Sequence, residues 1–407
     1  MSRRVPGPAL YALSYAARLT TLGVGFLIGV VSARALGTDG RGAYAELLVG
    51  VGLVVQLTNA GISTALGYAV ARRPRRLSIS ISAACMSAVS AVVLSAVVVM
   101  LVPGAFGRLG GLAIAWTGIQ FLQIQQERLL YSVQRFVAAN ALLLGGRVLA
   151  FLIGFATWRV RPMDVETFAL GQAAAEGVTA LVGFVLLRRM AGPWRWPRRP
   201  LVAAGARVAL RAFPSLLLPF LLLRSDILLL GVMRGARETG LYAVAVQLVD
   251  VLLLLPSSLA SMLFPALFSI PDAAAYTARV TLRGVAMLAL LAGVLAAVAP
   301  FVIPRLFGPA FAPAVRPCLL LLPGAVLLGG QTLLSQFFMR QGVPLFMSGF
   351  WAIGLAVNFG LNLFLIPGWG MSGAAVASSV AYTIVAALMA ARFLRFWRGE
   401  AAKEAGA

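Results

Sequence analysis

The chain has 407 residues, of which 61% are hydrophobic and only 11% charged, with a mean hydropathy of +0.94; a water-soluble fold cannot hide that much apolar surface, so the sequence belongs to the membrane class. Its formal net charge is +22, but in a membrane protein an arginine excess marks basic loops, and no compact basic domain is present to bind nucleic acid. The absence of histidine removes imidazole as metal ligand, proton relay or general base. Cys85 and Cys318 lie in or beside apolar runs, as small core residues rather than a disulfide or zinc framework. No metal site and no cofactor is expected.

A transmembrane helix needs about 20 apolar residues to cross roughly 30 Å of hydrocarbon. On that ruler six spans are predicted near 10–33, 43–70, 78–102, 109–131, 138–158 and 166–187. Six more follow near 211–233, 240–268, 277–302, 314–337, 343–366 and 371–395. The opening MSRRVPGPAL has a signal-peptide character and Ser32-Ala33-Arg34-Ala35 is a poor cleavage site, but the apolar run is too long and carries Arg18, which predicts an uncleaved first span. Gly25 and Gly29 have the small-xxx-small spacing of close helix packing.

The expected fold is an all-α integral membrane protein with twelve transmembrane helices in two six-helix lobes. The predicted domains are an N-terminal lobe at 1–187, a basic cytoplasmic linker at 188–210, a C-terminal lobe at 211–395 and a cytoplasmic tail at 396–407. The linker's Arg188–Pro200 stretch, with three prolines and two tryptophans, suits the inner leaflet, with anionic membrane lipids as partners. With the N-terminus inside, 22 basic residues, including Arg3, Arg4, Arg75, Arg198 and Lys403, fall in cytoplasmic segments, and 9, including Arg34, Arg41 and Arg161, fall in outer loops. The positive-inside rule then puts both termini in the cytoplasm. An even number of spans per half makes the halves parallel repeats about a pseudo-two-fold axis along the membrane normal. An offset of 198 residues maps Gly42 onto Gly240, Tyr44 onto Tyr242 and Ala45 onto Ala243.

Arg18, Arg147 and Arg224 fall inside spans. An arginine at the bilayer centre costs about 2.5–3.5 kcal/mol on insertion scales and therefore faces a partner or a wet cavity. A guanidinium suits phosphate, because its planar fork donates two parallel hydrogen bonds and stays charged. The same groups serve equally well in internal ion pairs. Glu176, Asp226 and Asp250 lie deep and Glu46 lies near a span end, so the +22 resides in the loops. Arg147 and Glu176, on consecutive helices, suit each other as a structural pair. Asp226 is two residues from Arg224 and on a different helix face, which leaves it for a coupling cation, with Glu176 and Asp250 as the other ion-coupling candidates. Gln56, Asn59, Gln120, Gln123 and Gln247 are the amide candidates for a hydroxyl-rich ligand; Gln336, Asn358 and Asn362 are further buried amides. Such groups also serve as interhelical hydrogen bonds. The dense QFLQIQQE stretch, Gln120–Glu127, is expected to line something wet.

Ala33-Arg34-Ala35-Leu36-Gly37-Thr38-Asp39-Gly40-Arg41-Gly42-Ala43-Tyr44 resembles the signature after the first span of polysaccharide flippases, the O-antigen and capsular repeat-unit translocases of the multidrug/oligosaccharidyl-lipid/polysaccharide exporter superfamily. Arg224-Ser225-Asp226 with Gly240-Leu241-Tyr242 is similar to that family's seventh and eighth spans. Asn358-Phe359-Gly360-Leu361-Asn362 through Pro367, Gly370 and Gly373-Ala374-Ala375 is similar to its eleventh and twelfth. The resemblance implies an inverted V of two six-helix lobes, alternating access, and transfer of an undecaprenyl-pyrophosphate-linked oligosaccharide from the inner to the outer leaflet of the cytoplasmic membrane. It also implies that Arg18 and Arg224 meet the anionic substrate, with a polysaccharide polymerase and glycosyltransferases as partner enzymes. The balanced carboxylates depart from a purely cationic cavity. A cation-coupled multidrug exporter, leaning on Asp226, Glu176 or Asp250, and a peptidoglycan-precursor flippase are the rivals within the superfamily. A glycan polymerase or ligase would need a large external loop that the span spacing does not leave, and a lipid scaffold without transport is the remaining alternative.

Overall fold

The computed structural model describes residues 8–73, 76–101, 107–160, 162–197, 199–340, 342 and 344–405. Arg3, Arg4, Arg75, Arg161 and Arg198, all used in the orientation argument, lie outside the described residues. Among the described residues there are eleven α-helices: α1 (Pro8–Asn59), α2 (Ile62–Arg72), α3 (Leu77–Leu101), α4 (Gly110–Ser132), α5 (Phe136–Val160), α6 (Val165–Met190), α7 (Arg199–Arg234), α8 (Ala236–Ala266), α9 (Ala273–Phe307), α10 (Val315–Arg340) and α11 (Leu345–Ala405). Nine of them are long and apolar enough to cross a membrane. The short α2 and the glutamine-rich α4 fall outside that set. The protein is a multi-pass membrane protein, and its surface fits: Val232, Val160 and Phe364 are more than 80% exposed, a cost only a lipid solvent removes.

Two of these helices are interrupted. In α1, Gly37 adopts φ 68, ψ −171, and in α11, Gly370 adopts φ 53, ψ −134; each ends one helix and starts another. At Gly370 a carboxylate repairs the break, because Glu238 Oε2 accepts the Met371 N–H at 3.0 Å and Glu238 Oε1 accepts from Arg234 Nε at 2.9 Å. A Cβ on residue 370 would lie 2.0 Å from Glu238 Oε2. Gly370→Ala therefore meets both a left-handed backbone penalty of about 1–2 kcal/mol and displacement of the cap. We expect it to lower the thermal unfolding midpoint of purified protein by several degrees. Gly368→Ala, with open space around it, should leave the midpoint unchanged.

The predicted second span, 43–70, is also divided. Ala60 and Gly61 take positive φ, and Asn59 spans the gap: its Oδ1 accepts the Ser63 N–H at 3.1 Å and its Nδ2 donates to Ser63 Oγ at 3.2 Å. Helix α7 begins at Arg199 rather than near 211, so only 191–198 of the predicted 188–210 linker lies between helices α6 and α7. Thr38–Gly42, expected between the first two spans, is helical.

The chain divides into two compact units, residues 1–36 with 46–217 and residues 37–45 with 218–407. In the first, α4 packs on α2, α3 and α6, and α5 packs on α6. In the second, α10 is the central helix, packed on α8, α9 and α11. Small residues permit its close approaches: a Cβ on Gly324 would lie 2.5 Å from Ser379 Cα. Residues 37–45 seat on α8 through two glycines. A Cβ on Gly42 would lie 1.8 Å from the Ala236 carbonyl oxygen, and one on Gly240 would lie 1.9 Å from that of Thr38. The contact is reciprocal, each glycine meeting the carbonyl four residues before the other.

Candidate functional site

In the first unit the polar residues gather along α4, α5 and α6. Arg147 on α5 reaches Glu176 on α6 at 3.6 Å, and Trp116 Nε1 on α4 donates to the other Glu176 oxygen at 2.6 Å. Gln123 donates to the Glu176 carbonyl at 2.8 Å. Gln123, Glu127, Arg147 and Glu176 all line a cavity of about 50 Å³. One helical turn along α4 from Gln123, Glu127 meets Arg18 of α1 at 3.7 Å, and the Arg18 guanidinium lies 5.3 Å from the centre of the Tyr131 ring. Arg18 and Arg147 remain about half exposed.

The glutamines of α4 also hold helices together. Gln125 donates to Asn59 Oδ1 at 3.1 Å and Gln126 to the Ala180 carbonyl at 2.8 Å. The stretch expected to line something wet borders the cavity on the face carrying Gln123, Gln126 and Glu127, and on the face carrying Gln125 it ties α4 to the α1–α2 junction. Gln56, Asn59 and Gln120 are not among the residues that line the cavity. Asn59 is buried at the junction, and Gln56 and Gln120 are half-buried.

In the second unit, Arg224 on α7 donates to Asp250 Oδ2 on α8 at 2.8 Å, with side-chain exposures of 29% and 41%. Asp226 points elsewhere, as residues two apart on a helix must. It is fully buried and accepts from the Tyr242 hydroxyl, from Ser378 Oγ at 2.8 Å and from its neighbour's Ile227 N–H at 2.9 Å. The donors run on into α11: Asn358 Nδ2 donates to Ser378 Oγ at 3.1 Å, and Asn362 Nδ2 to Asn358 Oδ1 at 3.0 Å. Asn362 Oδ1, buried, has no hydrogen-bond partner among the described residues. The cluster is one buried carboxylate satisfied by hydroxyl and backbone donors, with an unpartnered acceptor, Asn362 Oδ1, at the far end of the chain.

Gln247, read as a ligand amide, accepts from Arg41 Nη2 at 3.0 Å. Arg41, assigned to an outer loop by its place in the sequence, is 7% exposed and helical, with its guanidinium 5.9 Å from the Tyr44 ring centre. The sequence did carry a signal for it, since Arg41 directly precedes the repeated Gly42-x-Tyr44. Glu127, Ser378 and Trp116 were likewise not named as site residues, Tyr242 was noted only for the repeat and the family resemblance, and all four contact residues that were named.

The family model described as "Polysaccharide biosynthesis protein" matches residues 11–271, well over half of the chain. No curated protein matches the sequence. Among solved structures, the lipid II flippase MurJ in an inward closed conformation aligns with a TM-score of 0.74 at 12% identity, covering 93% of this chain and 86% of that one. An inward-facing multidrug resistance MATE family transporter of the MOP superfamily aligns with a TM-score of 0.70 at 16% identity, covering 95% and 96%. A MOP superfamily transporter from Pyrococcus furiosus aligns at 0.63 and 15% identity, covering 95% of each chain. At these identities the likeness establishes the fold, which is that of MOP-superfamily transporters.

Proposed function

The chain belongs to the polysaccharide biosynthesis protein family, and from that premise we propose that it is a flippase, not an enzyme, that carries a polyprenyl-pyrophosphate-linked oligosaccharide from the inner to the outer leaflet of the cytoplasmic membrane by alternating access. Counting α1 as two helices split at Gly37, with α2 completing the second crossing, and α11 as two split at Gly370 gives twelve crossings. The lobes are 1–187 and 211–395, joined by the basic linker and related by a parallel pseudo-two-fold axis, with both termini cytoplasmic. A polysaccharide polymerase and glycosyltransferases are the partner enzymes.

The observation that carries the reading is the partly exposed Arg224–Asp250 pair between two membrane helices. A guanidinium held by a reachable carboxylate is an anion site with its charge balanced at rest. Opening the pair without a replacement anion leaves a guanidinium at membrane depth uncompensated, and a neutral headgroup offers no such replacement. A pyrophosphate does, by supplying more charge and a bidentate partner to the same fork. Arg18, paired with Glu127, plays the same part in the first unit, while Arg147, Gln123 and Glu176 form its polar floor. Asp226 takes the coupling cation, supported by the unpartnered Asn362 Oδ1 beside its hydrogen-bond chain.

The test is the lipid-linked oligosaccharide on the cytoplasmic leaflet of cells lacking the protein. It is expected to accumulate, to clear with the wild type and to persist with Arg224→Ala at equal expression. No accumulation, with glycan export intact, would sink the flippase reading. The likeness to the lipid II flippase MurJ favours a peptidoglycan precursor as second reading. Accumulation of that precursor in place of the oligosaccharide would select it.

A further inference from the structure

Outside the polar clusters, the first unit holds a cavity of about 470 Å³ bounded by α2, the start of α3, the 191–197 strap and the first turns of α7, a volume in the range of ligand pockets. Its rim carries Arg72, Arg73 and Arg76 and its walls are apolar, with Ala69 and Ala83 among them. The Arg72 guanidinium lies over the Tyr68 ring, 4.5 Å from its centre, which holds it at the mouth. Among the described residues these three arginines have no carboxylate partner, whereas Arg18, Arg147 and Arg224 each have one. Arg18, Arg147 and Arg224 are balanced within the chain, whereas this cluster is left to be balanced from outside.

Three further observations identify what arrives. The strap is tied down by Ser78, whose hydroxyl donates to the Pro193 carbonyl at 2.6 Å, and it exposes Trp194 and Trp196, residues that settle at the level of lipid headgroups. Away from the cavity, α3 continues as an exposed apolar face through Met86, Val89 and Val93, so a chain leaving the cavity passes onto a surface already suited to hydrocarbon. Gly205 of α7 lines the cavity, and a Cβ there would meet nothing within 4 Å, so the space beside it is open.

We propose that this cavity is a binding site for an anionic phospholipid, whose phosphate is held by Arg72, Arg73 and Arg76 and whose first acyl methylenes occupy the apolar pocket between α2, α3 and α7. The site is separate from the flipping machinery and does not depend on the substrate reading. Its ligand is a bulk lipid that remains in its leaflet, and its effect is to fasten the strap and the start of α7 to the membrane surface.

The experiment uses the full-length protein in neutral detergent micelles and measures, by intact mass of the complex, retention of phosphatidylglycerol against phosphatidylcholine, with inorganic phosphate as competitor. The expected result is one preferentially retained phosphatidylglycerol, weakened about fivefold for each arginine changed to glutamine. Gly205→Leu, which keeps every charge and replaces a helical glycine by a good helix former, should lose that lipid as well. Equal retention of the two lipids overturns the proposal. So does loss on removing the arginines with full retention in Gly205→Leu, which is surface adsorption without a pocket. Displacement by millimolar inorganic phosphate overturns it too, because the site then takes a free anion rather than a lipid.

Discussion

Replacing Gly240 by valine is expected to unseat residues 37–45 from the second unit and to reduce glycan export at least tenfold. The physical reason is that the atoms in the way are backbone. A Cβ at 240 would meet the Thr38 carbonyl oxygen at 1.9 Å and the Gly42 nitrogen at 2.9 Å, and a helix cannot rotate a carbonyl aside as a core rotates a side chain. Overpacking costs about 1–3 kcal/mol even where side chains can yield, and here the helices must separate. Gly42→Val should behave alike, since its Cβ meets the Ala236 carbonyl and the Gly240 nitrogen. The double variant should cost about as much as either single one, because both remove one contact. The check is amide hydrogen exchange over residues 38–45 together with export. Gly293→Val, on a helix with open space around it, is the control. Unchanged protection of 38–45 in Gly240→Val would overturn this account of the contact.

Those two glycines also show what the sequence could and could not disclose. The 198-residue offset singled out Gly42 and Gly240 as equivalent positions, but equivalence in a repeat says nothing of touching, and contact emerged only from the backbone. The membrane class and the long apolar spans were legible because a run of about 20 apolar residues has few other uses. The break at Ala60-Gly61 was not, since it sits inside such a run and is repaired by Asn59, an amide that hydropathy registers only as a dip. The early start of α7 was missed for a related reason: Arg199–Arg211 carries arginines that end a hydropathy window without ending a helix. Helical phase correctly separated Asp226 from Arg224. Linear bookkeeping misplaced Arg41, because its partner Gln247 lies 206 residues away. Arg147 and Glu176 were paired from their consecutive helices, while Arg18 and Glu127 were not, since Glu127 was read only as part of a glutamine-rich stretch.

Under the cation coupling proposed above, Asp226→Asn is expected to leave the protein folded while removing the dependence of export on a transmembrane cation gradient. In the wild type the carboxylate is the end point of a chain of donors, from Asn362 through Asn358 and Ser378, with the Tyr242 hydroxyl added from α8. An amide keeps the shape and one acceptor oxygen, and the hydroxyls of Tyr242 and Ser378 can turn to accept from its NH₂, so the network survives while the charge that draws a cation does not. Asp226→Ala is different. It leaves the Tyr242 and Ser378 donors buried without their acceptor, at about 1–3 kcal/mol for each unsatisfied group, and should lower the unfolding midpoint where Asn does not. Tyr242→Phe removes one donor and leaves the charge, so it should be milder than alanine in stability and should retain coupling. A ligand that binds only the folded state raises its stability by mass action. The direct measurement is therefore the shift in unfolding midpoint of detergent-purified protein as sodium replaces a bulky organic cation, repeated across a pH series to separate sodium from the proton. A cation response present in the wild type and in Tyr242→Phe, and absent in Asp226→Asn, places the coupling ion at this carboxylate. The same response in all three would move it away from Asp226, leaving Glu176 and Asp250, both already held by arginine, as the carboxylates to examine next.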